Sequence, residues 1–387
     1  HGTMQDSLCV EGRRRESPMM NKMIVANVVH RPLRSAISAV AIAVEVTLIL
    51  VIVGLANGIL NDSKQRQEGI GADVMVRPPG SSFIMGVTGS PVSIKVADVL
   101  RKAPHVVAVA PVVTQISTSG GTVEVLYGID LASFESMGGP FHYLKGGPFQ
   151  GPDDIIVDDF FADSKNVKVG STMEVLNHNF RVAGIVEHGK GARKFMPIAT
   201  VQDMVGAQGK ASIFYLKLDD PANADAVAAQ IKLIPGMEKY GVQSMRQWLS
   251  LMTASNLPGL STFIDVVIGV AVCIGFIVIF QAMYTAVMER TREIGILKSL
   301  GASKGYIVQI ILRETLLMAL AGVVLGILLS LTTAEGIRHE FPTLRVLITS
   351  GWILRATAIA FAGAILGAIY PAFKAAQKDP VDALAYE

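Results

Sequence analysis

Four apolar stretches set the pattern of the chain, at 36–60, 260–288, 315–334 and 352–373. Each is long enough to cross a hydrocarbon core about 30 Å thick as a helix. The first and second are separated by a polar region, 61–259, which has the length of one or two domains. Within it Asp73 to Arg77 alternates as a strand and stops at Pro78 and Pro79. Ala97 to Lys102 then reads as a short helix, and Val106 to Val113 as a second strand. Ile213 to Leu218 predicts another strand, followed by a helix from Ala222 to Leu233 and a short strand near Tyr240 to Val242. These two strand-helix-strand patterns flank a β-rich insertion, 113–210, so the pattern predicts one α+β subdomain interrupted by another. In the insertion, strands are expected at Thr122 to Gly128, Asp154 to Val157, Ser171 to Leu176 and Phe180 to Val186, with Asn177, His178 and Asn179 turning the last two into a hairpin.

The connecting pieces carry the charge. Residues 19–35 mix apolar positions with Lys22, His30, Arg31 and Arg34, which suits a helix in the inner interface, with Pro32 bending the chain before the first span. The segment 289–314, between the second and third spans, and the tail, 374–387, hold Arg290, Arg292, Lys298, Lys304, Arg313, Lys374 and Lys378. A cytoplasmic N-terminus puts all of them inside, and it leaves 61–259 and the loop 335–351 outside, as positive residues require. Trp248 is expected near the outer interface, and Arg355 can snorkel outward from the fourth span. Residues 1–18 are read as an expression remnant or an uncertain start, apart from the fold.

Composition supports a polytopic membrane protein with a water-soluble part: 51% of 387 residues are hydrophobic and only 17% charged. A net charge of +2 without a basic, aromatic-interleaved run excludes nucleic acid as the expected partner. Cys9 and Cys273 are not placed for a structural disulfide or a zinc site.

Chemistry is sparse. Gly189-Lys190 is followed by Gly191 and Gly209-Lys210 by Ala211, so neither completes the G-x-x-x-x-G-K-[ST] phosphate loop; the chain is not expected to hydrolyse ATP by itself. No nucleophile or metalloprotease motif is found, so no catalytic residue, metal ligand or cofactor site is expected. His105, His142, His178 and His188, with Asp153, Asp154, Asp158, Asp159 and Asp163, read as solvated loop side chains, with a metal site or an acid/base pair as the alternative. Glu45 lies inside the first span; it is a coupling or proton-linked site, or else a protonated or hydrogen-bonded carboxyl that packs helices. Gly322 and Gly326, and Gly363 and Gly367, form G-x-x-x-G pairs that serve either dimerisation or packing within one subunit. The strongest signal is the charged segment itself. If Glu289 to Leu300 is helical, Ile294, Leu297, Leu300 and Ala302 share one face, with Arg290, Glu293 and Lys298 around the rest; Gly301 stops the helix and Ser303 caps the next.

The run from Glu289 to Ser303, the tail residues Tyr370, Pro371 and Ala372 with Asp379 to Leu384, and Arg31 to Ser35 near the start resemble the FtsX/MacB-type (type VII) ABC transporter permeases. The resemblance implies an α+β membrane protein: four transmembrane helices with a large two-part (Porter/Sabre-like) periplasmic domain inserted between helices 1 and 2. It implies a multi-pass protein of the bacterial inner membrane with cytoplasmic termini, working as a dimer with a second permease copy or homologue. Its members couple a cytoplasmic ATPase to their periplasmic domains by mechanotransmission, for export or extraction of a peptide, small molecule, lipid or lipoprotein. A separate ATPase subunit, holding ATP and Mg, is then the partner of this non-catalytic permease, and a periplasmic adaptor protein and an outer-membrane channel are further partners that the resemblance allows. Carried over by position, Glu289, Arg290, Arg292, Glu293, Ile294, Leu297, Lys298, Leu300, Gly301 and Ala302 are the ATPase-coupling residues. The alternative within the family is an FtsX-like regulator that activates an extracytoplasmic cell-wall hydrolase.

Overall fold

The computed structural model describes residues 32–81, 90–119 and 122–377. Residues 1–18, most of the expected interfacial helix 19–35 and the tail from 378 onward lie outside them. The chain divides into two compact units. A helical unit takes the chain up to Leu55, Thr262–Gly336 and the chain from Leu347 on, and an inserted unit takes Ala56–Ser261 with Ile337–Val346.

Helix α1, Pro32–Glu68, runs 37 residues, about 55 Å at the helical rise, and so outlasts the apolar run that predicted it. Lys64, Gln65, Arg66, Gln67 and Glu68 end an apolar segment without ending a helix, because all are good helix formers. Pro32 opens this helix instead of bending the chain ahead of it, since a first-turn proline gives up no intrahelical bond. Gly71, at φ +79°, turns the chain out.

The inserted unit follows with strands β1 (Val74–Arg77) and β2 (Val92–Ser93), helix α2 (Val96–Leu100), strands β3 (Val106–Ser119) and β4 (Thr122–Ile129) and helix α3 (Leu131–Gly138). Next come β5 (Tyr143–Gly146), β6 (Asp154–Asp158), α4 (Asp159–Lys165), β7 (Thr172–Val175), β8 (His178–Val186), β9 (Lys194–Pro197) and α5 (Ile198–Met204). The unit closes with β10 (Lys210–Ala211), β11 (Ile213–Leu218), α6 (Ala224–Lys232), β12 (Gly241–Ser244) and α7 (Met245–Leu251).

Strands of the interrupted subdomain and of its insertion share one sheet. One sheet runs β12-β1-β11-β3-β4-β9-β6-β8-β5, with β7 also on β8. Its spine is β3, longer than its apolar pattern suggests: Val106 to Val112 pair with β11, and Val112 to Ser119 pair with β4. Alternation decides which side each residue takes. Val74, Val76, Phe214 and Leu216 pack under α2 and α6, while Met75, Tyr215 and Ile213 face the opposite layer with Phe134, Phe195 and Trp248. Beyond the spine Ile155, Val157, Val182 and Met196 form a third core with Phe161 of α4 and Val201 of α5. Trp248, expected at a membrane interface, is instead a core residue of this unit, because α7 lays it against the sheet with the Arg77 guanidinium 4.3 Å from its ring centre. The β7–β8 turn is tighter than expected. Leu176 and Asn177, both at positive φ, make the two-residue connection, and His178 and Asn179 already belong to β8.

The helical unit continues with α8 (Pro258–Glu289), α9 (Thr291–Ser299), α10 (Lys304–Glu340) and α11 (Ser350–Gln377). With α1, this gives four helices long and apolar enough to cross a membrane. The loop expected at 335–351 is shorter, since Glu335 to Glu340 carry α10 on. Gly322 and Gly326 of α10 lie against Ala39, Ile42, Ala43 and Val46 of α1, and Gly367 of α11 lies against Phe276 and Ile279 of α8. The Thr47 hydroxyl donates to the Gly326 carbonyl at 3.1 Å. These close approaches give Gly322, Gly326 and Gly367 a role in packing within the subunit.

Candidate functional site

The charged segment folds as two pieces and not as one helix from Glu289. Arg290, at φ −105° and ψ 16°, breaks the ladder between α8 and α9. The Thr291 hydroxyl donates back to the carbonyls of Val287 and Met288, at 3.1 and 2.9 Å, which steadies the break. At the other end Gly301 takes φ +93°, its N–H donates to Lys298 O, and the Ala302 N–H donates to Leu297 O, both at 3.0 Å. This is a Schellman ending, which a Cβ at Gly301 would strain. Ser303 accepts from the Tyr306 N–H at 3.2 Å and caps α10, as its position predicts.

Polar bonds tie α9 to its neighbours. Arg290 Nη1 lies 3.1 Å from Glu314 Oε2, with both side chains nearly excluded from solvent, and Lys298 Nζ donates to Ala376 O at 3.0 Å. Ile294 is buried, and Leu297 and Ala302 are half-buried. Leu300 does not join them: it is 79% exposed, because the turn that ends the helix swings it outward. The outward face is Arg292, Glu293 and Ile296 at helical spacing, with exposed Glu289 just before the break and exposed Leu300 in the turn that ends the helix. Ile296, 44% exposed, is on this face and is not among the residues expected there; its place at i+3 from Glu293 and i+4 from Arg292 is the signal that puts it there. Beside this face lies a groove of about 310 Å³, walled by Met283, Val287, Ile307 and Ile311 and edged by Glu293 and Glu314.

Replacing Arg290 with lysine keeps the charge but loses the planar guanidinium, and it is expected to cost about 1 kcal/mol. A thermal midpoint a few degrees lower for Arg290→Lys, in the purified chain, is the check.

Glu45 stands apart from this segment. It is 3% exposed, it sits where α1 faces Gly275 of α8 and Gly363 of α11, and neither carboxyl oxygen has a hydrogen-bond partner among the described residues. A Cβ at Gly275 would overlap its Oε2, so that glycine makes the room the carboxyl occupies. Arg355 is exposed and lies over the Trp352 ring at 5.0 Å.

The four histidines of the inserted unit each pair with a carboxylate of their own: His105 with Asp219, His142 with Glu187, His178 with Asp153 and His188 with Asp159, at 2.9 to 3.1 Å. Among the described residues no three His, Cys, Asp or Glu side chains gather to hold a metal ion. The aspartates are mostly structural. Asp154 accepts from the N–H groups of Gln150 and Gly151 and from Arg181, which outweigh its burial and hold its carboxyl below the usual range. Asp158 caps α4 by accepting from the Phe161 N–H.

Comparison with known proteins agrees with this architecture. Residues 35–234 match the MacB-like periplasmic core domain, and residues 266–380 match the FtsX-like permease C-terminal region. A macrolide export ATP-binding/permease protein, MacB, of Neisseria gonorrhoeae is 24% identical over 402 residues, covering 95% of this chain and 60% of that protein. An uncharacterised ABC transporter permease of Methanocaldococcus jannaschii is 24% identical over 233 residues, 57% of this chain and 58% of that protein. The crystal structure of the periplasmic region of MacB from Actinobacillus actinomycetemcomitans aligns at a TM-score of 0.37 with 18% identity, over 48% of this chain and 94% of that one. The chain spans about 60% of the length of the MacB relatives it matches. With both regions matched and four helices of spanning length, the chain is a membrane protein that belongs to the family of MacB-like, FtsX-like ABC transporter permeases.

Proposed function

We propose that this chain is the non-catalytic permease subunit of a mechanically coupled ABC transporter, in which α9 receives the movement of a cytoplasmic ATPase and the inserted domain acts on an exported or extracted substrate. ATP and Mg are held by that ATPase. The observation that carries the reading is the outward face around α9, where Arg292, Glu293 and Ile296 stand on a helix fixed at both ends and Glu289 and Leu300 flank it, exposed. Two exposed aliphatic side chains ringed by charges on an anchored helix suit a partner that must both bind and push. The positive residues around α9 favour a cytoplasmic side for it and for both chain ends, in a bacterial inner membrane. The exposed aliphatic rows Val40, Val44 and Leu48 on α1, and Val266, Val270 and Ile274 on α8, suit lipid and a second copy of the permease.

The test co-expresses the chain with the ABC ATPase that carries a complete phosphate loop and purifies on the permease. Ile296→Asp or Glu293→Lys is expected to weaken the complex by about 30-fold, the scale of a central interface residue, and to abolish permease-stimulated ATP turnover. The Leu297→Ala variant, which opens the groove beside the face, is expected to do less. Retention of the ATPase and of stimulation by both strong variants would reject α9 as the coupling helix. Stimulation of a copurifying cell-wall hydrolase would move the reading to the regulator branch.

A further inference from the structure

The inserted unit holds a second cavity, about 310 Å³, that the coupling of α9 does not use. Its floor is the face of the sheet formed by β1, β11, β3 and β4, and its walls include Leu60 and Gln67 of α1 and Trp248 of α7. Met75, Ile116, Val125, Ile213, Met252 and Leu257 supply an aliphatic lining. Ile116 and Val125 are direct cross-strand partners and are 47% and 41% exposed, so two large apolar side chains are held open at the cavity instead of being packed.

Two sets of polar groups in the cavity behave differently. Tyr127, Tyr215 and Gln67 satisfy one another: the two phenol oxygens are 3.2 Å apart, Gln67 Nε2 donates to Tyr127 at 3.2 Å, and Tyr215 donates to Gln67 Oε1 at 3.3 Å. Arg77 and Thr114 form the other set. Arg77 Nε and Thr114 Oγ1 are both buried and have no hydrogen-bond partner among the described residues. Arg77 Nη2 donates to Gln243 Oε1 at 3.0 Å, which is an amide and brings no charge, and no ion pair of Arg77 with a carboxylate is found among the described residues. The indole of Trp248 holds the guanidinium plane in place. Burial also lowers the Arg77 pKa below its ordinary value, the direction expected of a cation short of a counter-charge.

We infer that this cavity is a binding site for a small monoanionic amphiphile, whose carboxylate takes Arg77 Nε and the Thr114 hydroxyl and whose unbranched apolar tail lies along Met75, Ile116, Val125, Ile213, Met252 and Leu257. One guanidinium and one hydroxyl match a single negative charge, and a planar carboxylate suits the guanidinium edge. The two methionines let the lining adapt to chain length. The site is a property of the inserted unit and stands whether or not α9 couples to an ATPase.

Sodium decanoate is the probe, with decanol as its uncharged counterpart, on the full chain in protein-containing liposomes. The chain has two tryptophans, so Trp352→Phe leaves Trp248 as the reporter. Decanoate is expected to change the Trp248 emission saturably, whereas decanol gives only the linear response of lipid partitioning. Arg77→Gln is expected to raise the decanoate half-saturation at least tenfold and Thr114→Val a few-fold. Should Arg77→Gln fail to fold, Thr114→Val, which removes only a hydroxyl, and Arg77→Lys, which is expected to bind with intermediate strength, carry the test. Equal responses to decanoate and decanol, no response to either, or an unchanged half-saturation in the Arg77 and Thr114 variants would overturn the site.

Discussion

Leucine at Gly322 or Gly326 is expected to prevent the helical unit from packing, leaving the purified chain aggregated or unfolding tens of degrees below the wild type. Even a methyl group has no room there. A Cβ at Gly322 would stand 2.6 Å from the Ile42 Cβ and 2.7 Å from the Ala39 carbonyl oxygen, and one at Gly326 would stand 2.8 Å from both the Ala43 carbonyl oxygen and the Val46 Cβ. Backbone oxygens cannot rotate aside as side chains do, so α1 and α10 must separate and lose the contacts along their whole interface. Alanine at either position is expected to cost about 1–3 kcal/mol, as overpacking does, and leucine several times more. Separation would also break the bond from Thr47 to the Gly326 carbonyl. Gly269 of α8 supplies the control, because nothing lies within 4 Å of a Cβ built there. Gly269→Ala is expected to be neutral or to stabilise by up to about 1 kcal/mol through helix propensity. Thermal unfolding in lipid nanodiscs, with size-exclusion profiles of the same samples, measures all of these. If Gly326→Leu melts with Gly269→Ala, the α1–α10 contact is not what holds the unit together. If Gly326→Ala changes the oligomeric state with no loss of stability, the motif serves dimerisation instead.

Much of this architecture is legible in the chain because its signals are long and periodic. The four apolar runs and the strands at Ile213 to Leu218 and Asp154 to Asp158 follow from burial patterns that no neighbour has to supply. Helix ends were less legible. The spans stop reading as membrane segments at Asn61 or Glu335, but backbone hydrogen bonding continues through charged helix formers to Glu68 and Glu340. The end of β3 was hidden for a related reason: Gln115, Ser117 and Thr118 do not look like a buried strand, yet pairing with β4 carries β3 past Val113 through them.

The outward face around α9 was half legible. Gly301 and Ser303 announced both ends of their turn, because each ending depends on one residue type at one position. The direction in which each side chain points was not, since the break at Arg290 resets the helical phase; Leu300 then turns out to solvent and Ile296 joins it. The Arg77 cavity could not be seen at all. Its lining comes from Leu60 to Leu257, brought together only by sheet order and by a tryptophan whose amphipathic ring argued for a different place.

A largely enclosed arginine in the inserted unit should be as costly to remove as those glycines are to fill. Arg193, with a side chain only 12% exposed, pairs with Asp62 of α1 at 3.0 Å and with Asp158 at 3.1 Å, and it donates to the Thr343 carbonyl at 3.3 Å. Asp62 also holds Arg66 at 3.1 Å, and Arg66 reaches the Gly191 carbonyl at 3.3 Å. Arg193→Met is expected to destabilise the unit by about 3–5 kcal/mol, mostly because Asp158, 1% exposed as a side chain, loses its cation and stays buried. Adding Asp158→Asn should recover a good part of that loss, because an asparagine oxygen can still cap α4 at Phe161 and carries no charge. The same aspartate makes stability depend on pH in a definite direction. Burial pushes its carboxyl up from 3.8 to about 6 even with Arg193 beside it. Between those values the folded chain keeps a proton that the unfolded chain has released, so this group's contribution is greatest below about pH 4 and is lost as pH rises to about 6. A rise from 3.8 to about 6 corresponds to about 3 kcal/mol. The thermal midpoint of the wild type should therefore carry a falling component between pH 4 and 6, which Asp158→Asn removes; Arg193→Met, by taking away the nearby cation, should extend the fall above pH 6. Amide exchange across residues 158–165, corrected for intrinsic rates, locates the effect at α4. A pH profile identical in wild type and Asp158→Asn would mean that Asp158 is ionised on both sides of folding and that Arg193 holds it as an ordinary ion pair.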